Sequence, residues 1–553
     1  MKRIYLLAAF IVLANMVFAG GLLTNTNQSA QFIRMMSRNA STGIDAVYFN
    51  PAGLIKLENG WHFSVSSQTI FQTKPVESEF PLLNDGNYEG IVNVPVFPTG
   101  FAVYKMDNWA FSLGFGPNAG GGSAEYDRGL PSFEIPITKV VPGLAGLTQI
   151  DPSWKVNGYN ADIFFDGSSV FWGIQLGATY RVNDIFSVYG GVRYLPSKNT
   201  YEGAIKNIQL KVNDDYVSAA PWMTEKSGQT ATLAGLANAA ADMPQTLQPL
   251  IDGGAASFTL AQLETAGYIT SMERVGIETG LQMMKLPPEQ INAMNLGMIQ
   301  GAFQEASPTF RATAVQLNGV SGSLAETAGM LGDKNVNTVQ SGNGFTPMVG
   351  LNISPVENLN IALKYEMKTA LSLKNEPKEG DNYSNTLFGS QVDSDIPAIL
   401  GAGVGYKTGI VEAQLSYNMY FNKDVNWGVN IRDYSAGHDP VRQREITRNG
   451  VEVGLGLQFD VHEKFALSLG GLYGDMGVAD SYQSDFSYTN PSVTGGIGFA
   501  WKITDALTLD AGFSNTFYQD ATVSFTDPDV GNYKEHLKKT TQSIVVGLSY
   551  SLF

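Results

Sequence analysis

Along much of the chain, apolar residues alternate with polar or small residues at a period of two. In residues 451–460, VEVGLGLQFD, this alternation would place valines, leucines and a phenylalanine on one strand face and glutamate, glycines, glutamine and aspartate on the other. A soluble β-sandwich would pack the apolar face against a second sheet. An outer-membrane barrel would expose it to lipid and line its lumen with the polar face. Periodicity alone does not separate these folds.

The spacing of the alternating segments favours the barrel. Short turns such as Asp107-Asn108 and Thr504-Asp505 alternate with long polar connections, which is typical of barrels with short periplasmic turns and long external loops. Most segments are near the roughly 9 to 11 residues that cross a bilayer at a tilt. The sequence therefore predicts an all-β transmembrane protein, a 14-stranded antiparallel outer-membrane β-barrel over residues 61–553. Its predicted strands are 61–73, 99–105, 109–117, 168–180, 185–196, 344–354, 359–373, 396–406, 410–422, 449–460, 465–474, 492–502, 507–518 and 542–553.

One external connection, about 198–342, is rich in Ala, Gln and Leu and predicts a large helical insertion. Pro287-Pro288 can open a helix, a second helix is predicted from Thr309 to Leu331, and Thr259 with Gln262 has the pattern of a capping box. Two interpretations remain open: a helical cap packed on itself, or a methionine-lined surface that accommodates apolar ligands.

Residues 1–19 have the pattern of a signal peptide, with Lys2 and Arg3, an apolar stretch, and small residues before a cleavage site after Ala19. The chain has no cysteine, which excludes a lipid anchor, disulfides and cysteine-based metal sites. Its formal net charge of −16 disfavours binding to nucleic-acid phosphates. We therefore expect an exported protein of the bacterial outer membrane that has no nucleic-acid partner.

An N-terminal segment of about forty residues, 20–60, precedes the first predicted strand and contains Asn50-Pro51-Ala52-Gly53. This combination resembles the FadL/TodX family of outer-membrane transporters for hydrophobic compounds. The resemblance implies that the segment folds into the lumen as a hatch and that the turn formed by Asn50, Pro51, Ala52 and Gly53 lies inside the barrel. Family members commonly carry paired glycines before this turn, whereas this chain has Met35-Met36-Ser37-Arg38.

The third predicted strand begins regularly at Trp109 and is then broken at Gly116, Pro117, Gly120, Gly121 and Gly122. Proline and glycine do not sustain regular strand pairing. From the residues alone, this break is either the end of the strand or a side opening of the barrel. The resemblance implies a lateral gate through which a substrate leaves into the membrane.

The resemblance also implies passive uptake of long-chain fatty acids or similar hydrophobic compounds, with no cofactor and no enzymatic activity. Lumen-facing Lys364 and Arg193 could contact a ligand carboxylate, or could instead form ion pairs across the lumen with groups such as Glu366. The other expected partners are outer-membrane lipid, lipopolysaccharide, and the barrel-assembly machinery, which usually reads a C-terminal aromatic such as Phe553. A monomer is expected.

Two other functions remain open. An outer-membrane lipid hydrolase would need a nucleophile, a base and an orienting group. Of four histidines, His62 is the one predicted to face the lumen from a strand, and neither G-x-S-x-G nor H-E-x-x-H occurs. A surface-interaction protein would use the helical insertion for binding and the barrel as an anchor. The acidic pairs Asp527/Asp529 and Glu125/Asp127 lack EF-hand spacing, so no metal is predicted.

Overall fold

The structure is a computed structural model of the chain, and it describes residues 24–429, 446, 448–479 and 483–552. The predicted signal peptide and the terminal Phe553 lie outside the described residues. The chain divides into two compact units. One comprises residues 139–161 and 207–332, and the other comprises the remaining described residues.

The larger unit is a closed antiparallel barrel of fourteen strands, which confirms the predicted fold class. The described residues form twenty strands: β1 (Gly60–Ser78), β2 (Asn87–Met106), β3 (Trp109–Tyr126), β4 (Val156–Arg181), β5 (Phe186–Val212), β6 (Asp215–Ser218), β7 (Lys334–Val356), β8 (Leu359–Glu366), β9 (Ser372–Pro377), β10 (Gln391–Ser394), β11 (Ile399–Thr408), β12 (Val411–Tyr420), β13 (Trp427–Val429), β14 (Gly450–His462), β15 (Phe465–Asp475), β16 (Ser492–Lys502), β17 (Leu507–Tyr518), β18 (Ala521–Asp527), β19 (Gly531–Leu537) and β20 (Thr540–Leu552). Closure comes from β1, which pairs with β2 on one side and with β20 on the other. Six strands, namely β6, β9, β10, β13, β18 and β19, are additional to the barrel.

Several barrel strands extend beyond the predicted segments. The sequence predicts β2 from residue 99, β4 from residue 168 and the end of β5 at residue 196, whereas these strands begin at Asn87 and Val156 and end at Val212. In the extensions of β4 and β5 both strand faces carry polar residues, as in NTYEG at 199–203, and the extension of β2 contains Pro95 and Pro98. The alternation that marks a strand with one apolar face is therefore lost although the backbone pairing continues.

The outer surface of the barrel carries large apolar side chains at alternate strand positions. In β20, Ile544, Val546, Leu548 and Tyr550 are 42–53% exposed, whereas Val545 is 1% exposed. Aromatic pairs lie beside the short turns, with ring centroids 4.7 Å apart for Trp61 and Tyr104 and 4.6 Å apart for Trp109 and Tyr180. A continuous exposed apolar surface with aromatic residues at its margin is typical of a barrel surrounded by lipid.

Ten α-helices lie in the described residues: α1 (Ala30–Met35), α2 (Ala46–Phe49), α3 (Pro131–Thr138), α4 (Val140–Gly143), α5 (Ala219–Leu250), α6 (Leu260–Thr265), α7 (Ser271–Met283), α8 (Pro288–Ala293), α9 (Leu296–Met330) and α10 (Ser384–Phe388). The smaller unit is a long hairpin of α5 and α9 with α6, α7 and α8 at its turn. The capping box of Thr259 and Gln262 is present at α6, as predicted. Among the described residues, no helix has the length and apolar character needed to cross a membrane.

The hairpin has its own apolar core. Leu263, Leu281, Leu296, Ile299 and Phe303 are completely buried in a cluster formed by α5, α6, α7, α8 and α9. The predicted helical insertion is therefore present, and its helices pack on one another. Its helices begin at Ala219 rather than near residue 198, because β5 and β6 continue the chain as strands up to Ser218.

Candidate functional site: the barrel interior and a break in its wall

Residues 24–57, here called the N-terminal segment, lie within the ring of barrel strands. Helix α1 contacts β1, β14, β15, β16, β17 and β20. It begins after Ser29, whose hydroxyl accepts a hydrogen bond from the Phe32 amide at 3.0 Å, and it ends at Met36, which has a φ of 57°. The rings of Phe32 and Phe49 then stack at 5.3 Å within a buried cluster. Local capping and internal packing therefore give the segment a defined shape.

A buried ion pair fixes α1 to the wall. Arg34 Nε lies 2.8 Å from Asp510 Oδ1, and the Arg34 guanidinium also donates to Gln458 Oε1 at 2.6 Å and to the Ser468 hydroxyl. Gln31 Nε2 donates to the second oxygen of Asp510 at 2.8 Å. Both charged side chains are at most 7% exposed. Removing one partner would leave the other buried without compensation.

Lumen-facing glycines make room for the segment. A Cβ at Gly456 or Gly470 would overlap the carbonyl oxygen of Met35, and a Cβ at Gly496 would overlap that of Ile33. Equivalent overlaps would occur at Gly403, Gly454 and Gly498. The wall and the N-terminal segment are therefore complementary in shape, and the backbone carbonyls of Met35 and Met36 pack against wall glycines.

The Asn50-Pro51-Ala52-Gly53 sequence forms hydrogen bonds with three barrel strands. Asn50 Nδ2 donates to Asn352 Oδ1 at 2.7 Å, and the carbonyls of Pro51 and Ala52 accept from the hydroxyls of Thr179 at 2.6 Å and Ser187 at 2.8 Å. Pro51 is the first residue of a 3₁₀ helix, Pro51–Lys56, where its missing N–H costs nothing. A Cβ at Gly53 would overlap Asn50 Nδ2. The turn thus anchors the segment inside the barrel.

Arg193 and Lys364 form a buried cluster with Glu366. Arg193 Nη1 lies 2.6 Å from Glu366 Oε2, and Lys364 Nζ lies 2.7 Å from Glu366 Oε1. Lys364 also donates to the Tyr48 carbonyl at 2.6 Å, and Arg193 donates to Gln175 Oε1 at 2.8 Å. Of the two roles considered from sequence, this geometry corresponds to ion pairing, but along the wall rather than across the lumen, since Lys364 and Glu366 share β8 and only β7 separates β8 from the β5 strand of Arg193. The cluster holds the N-terminal segment through the Tyr48 carbonyl.

The pairing of β2 with β3 is interrupted in the middle of the wall. The two strands pair from Met106 and Trp109 up to Gly100 and Phe115, and pairing resumes only at Val92 and Ala124. Residues 93–99 and 116–123 therefore face each other without a ladder, and we call this the β2–β3 break. All five predicted gate residues, Gly116, Pro117, Gly120, Gly121 and Gly122, lie along it.

The path of β3 at the break requires glycine. Against β4, the register of β3 shifts between Pro117 and Ala119 and again between Gly120 and Gly122. Gly120 and Gly121 have φ values of 68° and 123°, a backbone conformation that residues with a Cβ rarely adopt. The strand does not end here, as one of the two sequence interpretations held, but continues with an irregular backbone to Tyr126.

The start of the N-terminal segment covers the irregular part of β3. Asn25 donates from its backbone to Asn118 O at 2.8 Å and from its carboxamide to Pro117 O at 3.0 Å and Gly120 O at 2.7 Å. Gln28 Nε2 donates to Pro117 O at 2.7 Å, and Thr24 forms an isolated bridge with Ala119. These four hydrogen bonds satisfy carbonyls that lack a ladder partner in β2.

A cavity of about 410 Å³ lies between the N-terminal segment and the β2–β3 break. Its apolar wall includes Ile70, Val92, Val94, Phe97 and Leu472, and Gly120, Gly121 and Gly122 form the side at the break. Serine and threonine side chains of β16, β17 and β20 provide much of the remaining lining: Ser492, Thr494, Ser514, Thr516, Thr541 and Ser543. The volume is within the range of pockets that bind small ligands.

Two lysines and one glutamate line this cavity. Lys539 Nζ lies 4.8 Å from the Tyr518 ring centroid, and among the described residues no carboxylate is within ion-pair distance of it. Burial lowers the pKa of Lys539 to about 8, because desolvation disfavours the charged form. Lys74 Nζ lies 5.0 Å from the Tyr488 ring. Glu452 accepts from Asn418 at 2.8 Å and from Thr26 at 3.2 Å.

The sequence reasoning did not single out Asn25, Gln28 or Lys539. The amide-rich stretch TNTNQ at 24–28 is a signal that could have suggested backbone capping. Lys539 offers no such signal, because it follows Lys538 and only the structure shows that Lys539 is 8% exposed, whereas the Lys538 side chain is 47% exposed.

His62, the candidate base of a hydrolase, faces a serine. Its Nδ1 lies 2.9 Å from Ser551 Oγ and its Nε2 lies 2.8 Å from the Glu58 carbonyl oxygen. Because a carbonyl can only accept, Nε2 carries the proton and Nδ1 accepts from the serine. Neither residue lines the cavity at the β2–β3 break.

Comparison with solved structures shows a shared fold. A FadL homologue from Pseudomonas aeruginosa matches over 97% of this chain and 100% of its own, with 12% identity and a TM-score of 0.53. The toluene transporter TodX of Pseudomonas putida matches over 92% and 94%, with 14% identity and a TM-score of 0.49. No protein-family model and no curated protein matches the sequence. The match to the FadL homologue thus confirms, at the level of the fold, the resemblance noted from the sequence.

Proposed function

We propose that this chain is an outer-membrane channel for passive uptake of hydrophobic compounds, with long-chain fatty acids as the substrate class. A ligand would reach the cavity from the external side, displace the first residues of the N-terminal segment, and leave sideways through the β2–β3 break. Energy would come from partitioning of the ligand into lipid, since each buried CH₂ group contributes about 0.8 kcal/mol.

The β2–β3 break is the observation that carries this proposal. Gly120, Gly121 and Gly122 lie in the interrupted part of the wall and also line the interior cavity. An interruption of pairing on the lipid side of a barrel is costly unless the freed backbone groups find other partners or line a cavity. Here Asn25 and Gln28 supply those partners. A wall that can open only when this cover moves fits a lateral gate.

The exposed apolar band supports a location in the bacterial outer membrane, in contact with lipid and lipopolysaccharide. We propose a monomer, since the barrel closes on itself through β1 and β20. The N-terminal segment would act as the hatch. The ion pair of Arg34 with Asp510 and the contacts with wall glycines hold this segment against the wall. They support a plug that stays in the lumen when no ligand is bound.

The charges in the cavity support an amphiphile with an anionic head. Arg193 and Lys364, the candidate carboxylate contacts, are both engaged with Glu366. Lys539 and Lys74 are better placed to attract a carboxylate, because both border the cavity. The apolar residues at the break would then receive the hydrocarbon tail.

Uptake of labelled oleate by a bacterium lacking its own fatty-acid channel tests the proposal. The intact chain should restore uptake. The variant Gly122→Leu should reduce it several-fold, because a side chain there would meet Val92 and Val94 across the break and would not require an unusual backbone angle. Gly495→Leu is the matched control, since a Cβ at this strand glycine meets nothing within 4 Å. Equal uptake by both variants would contradict lateral passage, and no uptake by the intact chain would contradict the substrate class.

A further inference from the structure

One of the long connections of the barrel folds inward. Residues 483–490, here called the crossing segment, lie in the connection between β15 and β16, at the end of the barrel opposite the short turns. Connecting segments usually run over the protein surface, because a buried backbone needs hydrogen-bond partners. In the crossing segment, however, five residues are at most 8% exposed: Gln483, Ser484, Asp485, Tyr488 and Asn490. The segment is therefore packed against other parts of the barrel.

The C-terminal part of the crossing segment is fixed to the end of β19 and the residue after it. The Tyr488 hydroxyl donates to the Lys538 carbonyl at 2.6 Å, and Asn490 Nδ2 donates to the Leu537 carbonyl at 3.0 Å. Residues 487–490 line the cavity at the β2–β3 break. This part of the segment therefore forms the side of the cavity that faces away from the short turns.

Phe486 reaches the opposite side of the barrel. Its ring centroid lies 5.0 Å from that of Phe165 on β4 and 6.1 Å from that of Tyr201 on β5. Asp485 fixes the same end, because its Oδ2 accepts from the Ser132 amide at 2.8 Å. In one direction around the barrel, β16 and β4 are separated by β17, β20, β1, β2 and β3. In the other direction, β15 and β5 are separated by β14, β12, β11, β8 and β7. The contacts of Phe486 therefore lie diametrically across the lumen from the strands that carry the segment.

The two ends of the crossing segment differ in how they are held. Tyr488 and Asn490 are each 4% exposed and donate to backbone carbonyls. Phe486 is half-buried and packs through its ring on the margin of an aromatic cluster that includes Phe165 and Tyr201. Ring contacts at a half-buried position separate more readily than buried hydrogen bonds, whose loss leaves polar groups unpaired. The end at Phe486 is therefore the one that we expect to open.

We propose that the crossing segment is an outer gate of the cavity and that Phe486 is the positioning residue that holds it closed. A ligand that enters from the external side would require the ring to leave Phe165 and Tyr201, while the anchors at Tyr488 and Asn490 stay in place. The inference rests on the proposed function, because it concerns the entry of the same ligand into the same cavity. It places a barrier before the cavity in addition to the one at the β2–β3 break.

The absence of cysteine allows a single thiol in the cavity to report access from outside. Thr494→Cys places this thiol on β16, where Thr494 lines the cavity. In intact cells, a membrane-impermeant methanethiosulfonate that carries a sulfonate should modify the cysteine slowly in the parent chain. Phe486→Ala should raise the rate about tenfold, which corresponds to about 1.4 kcal/mol in the closing of the gate. Phe486→Leu keeps an apolar side chain and, as a second and milder variant, should raise the rate by less.

Phe258→Ala is the matched control, since this ring lies 6.2 Å from that of Tyr268 in the smaller unit and is not among the described residues that line the cavity. The N-terminal segment is unchanged in all variants, so entry from the side of the short turns contributes equally to every rate. The temperature at which the barrel loses its compact electrophoretic form monitors folding independently.

Equal rates in Phe486→Ala and the parent chain would overturn the inference. It would also be overturned if the parent rate already matched that of an exposed cysteine, introduced as Asn532→Cys in β19. Modification of the cavity thiol does not depend on transport. A faster rate in Phe486→Ala without any oleate uptake by the parent chain would therefore support the outer gate while contradicting the proposed function.

Discussion

Removal of the Arg34 side chain should release the N-terminal segment from the barrel wall. Arg34 is the basic residue of α1, and its guanidinium contacts Asp510, Gln458 and Ser468 on three different strands. In Arg34→Ala, Asp510 would keep only the hydrogen bond from Gln31 among these contacts. The wall would therefore hold a poorly compensated buried carboxylate for as long as the segment stays docked.

The size of the effect follows from the burial of the pair. Breaking a buried ion pair by removing one partner costs about 3–5 kcal/mol. Arg34 and Asp510 also border an opening of about 550 Å³ on the side of the short turns, where water can reach the carboxylate. We therefore expect the lower end, about 3 kcal/mol, which shifts the equilibrium between docked and released segment by a factor of about 100.

Ion conductance in planar bilayers would measure this shift, since a released plug opens the lumen to ions. Arg34→Ala should raise the time-averaged conductance at least several-fold over the parent chain. Arg311→Ala is the control, because its ion pair with Asp242 is exposed on both sides and contributes little. The double variant Arg34→Ala/Asp510→Ala should conduct less than Arg34→Ala alone, because no unpaired charge remains. Equal conductance in Arg34→Ala and the parent would refute the plug assignment.

Two further predictions concern the wall and the cavity. Gly470→Ala should displace α1, because its Cβ would overlap the Met35 carbonyl oxygen, and the conductance assay should show a larger open fraction, whereas Gly495→Ala should have no effect. Lys539→Met should weaken uptake of oleate but not of a neutral hydrocarbon such as toluene. Because the pKa of Lys539 is lowered to about 8, its charge is present below that pH and is lost above it, so oleate uptake by the parent chain should fall about tenfold between pH 7 and pH 9 while that of Lys539→Met stays flat.

The sequence predicts the part of the fold in which the two strand faces differ. All fourteen barrel strands were found from alternation, because each separates an apolar outer face from a polar lumen. The sequence wrongly places the extension of β5 through Val212 in the helical insertion, since polar residues on both faces leave no period of two. The capping box at Thr259 was identified because it depends only on a local pattern of two residues.

The site was less accessible from sequence, because most of its contacts join distant parts of the chain. The glycines of β3 indicate an irregular strand, but not that Asn25, about ninety residues earlier, caps its carbonyls. Arg193 and Glu366 are 173 residues apart and meet only when β5, β7 and β8 pair side by side. Alternation along the chain shows which residues face the lumen but not which strands lie side by side. It therefore does not show whether a lumen lysine borders the cavity or pairs with a carboxylate.

A reversible disulfide across the β2–β3 break tests the central claim most directly. A Cβ at Gly122 would lie 2.7 Å from Val94 Cγ2, so cysteines at these two positions would have Cβ atoms about 4 Å apart, which suits a disulfide. The chain has no other cysteine. The control disulfide joins Tyr104→Cys and Phe111→Cys, which are partners in the paired part of the same two strands.

Labelled oleate uptake would be measured for Val94→Cys/Gly122→Cys before and after reduction in the same cells. The account predicts that uptake is blocked while the disulfide is closed and returns on reduction, whereas the control pair transports equally in both states. Uptake that is the same with the Val94/Gly122 disulfide closed and open would contradict lateral release through the β2–β3 break.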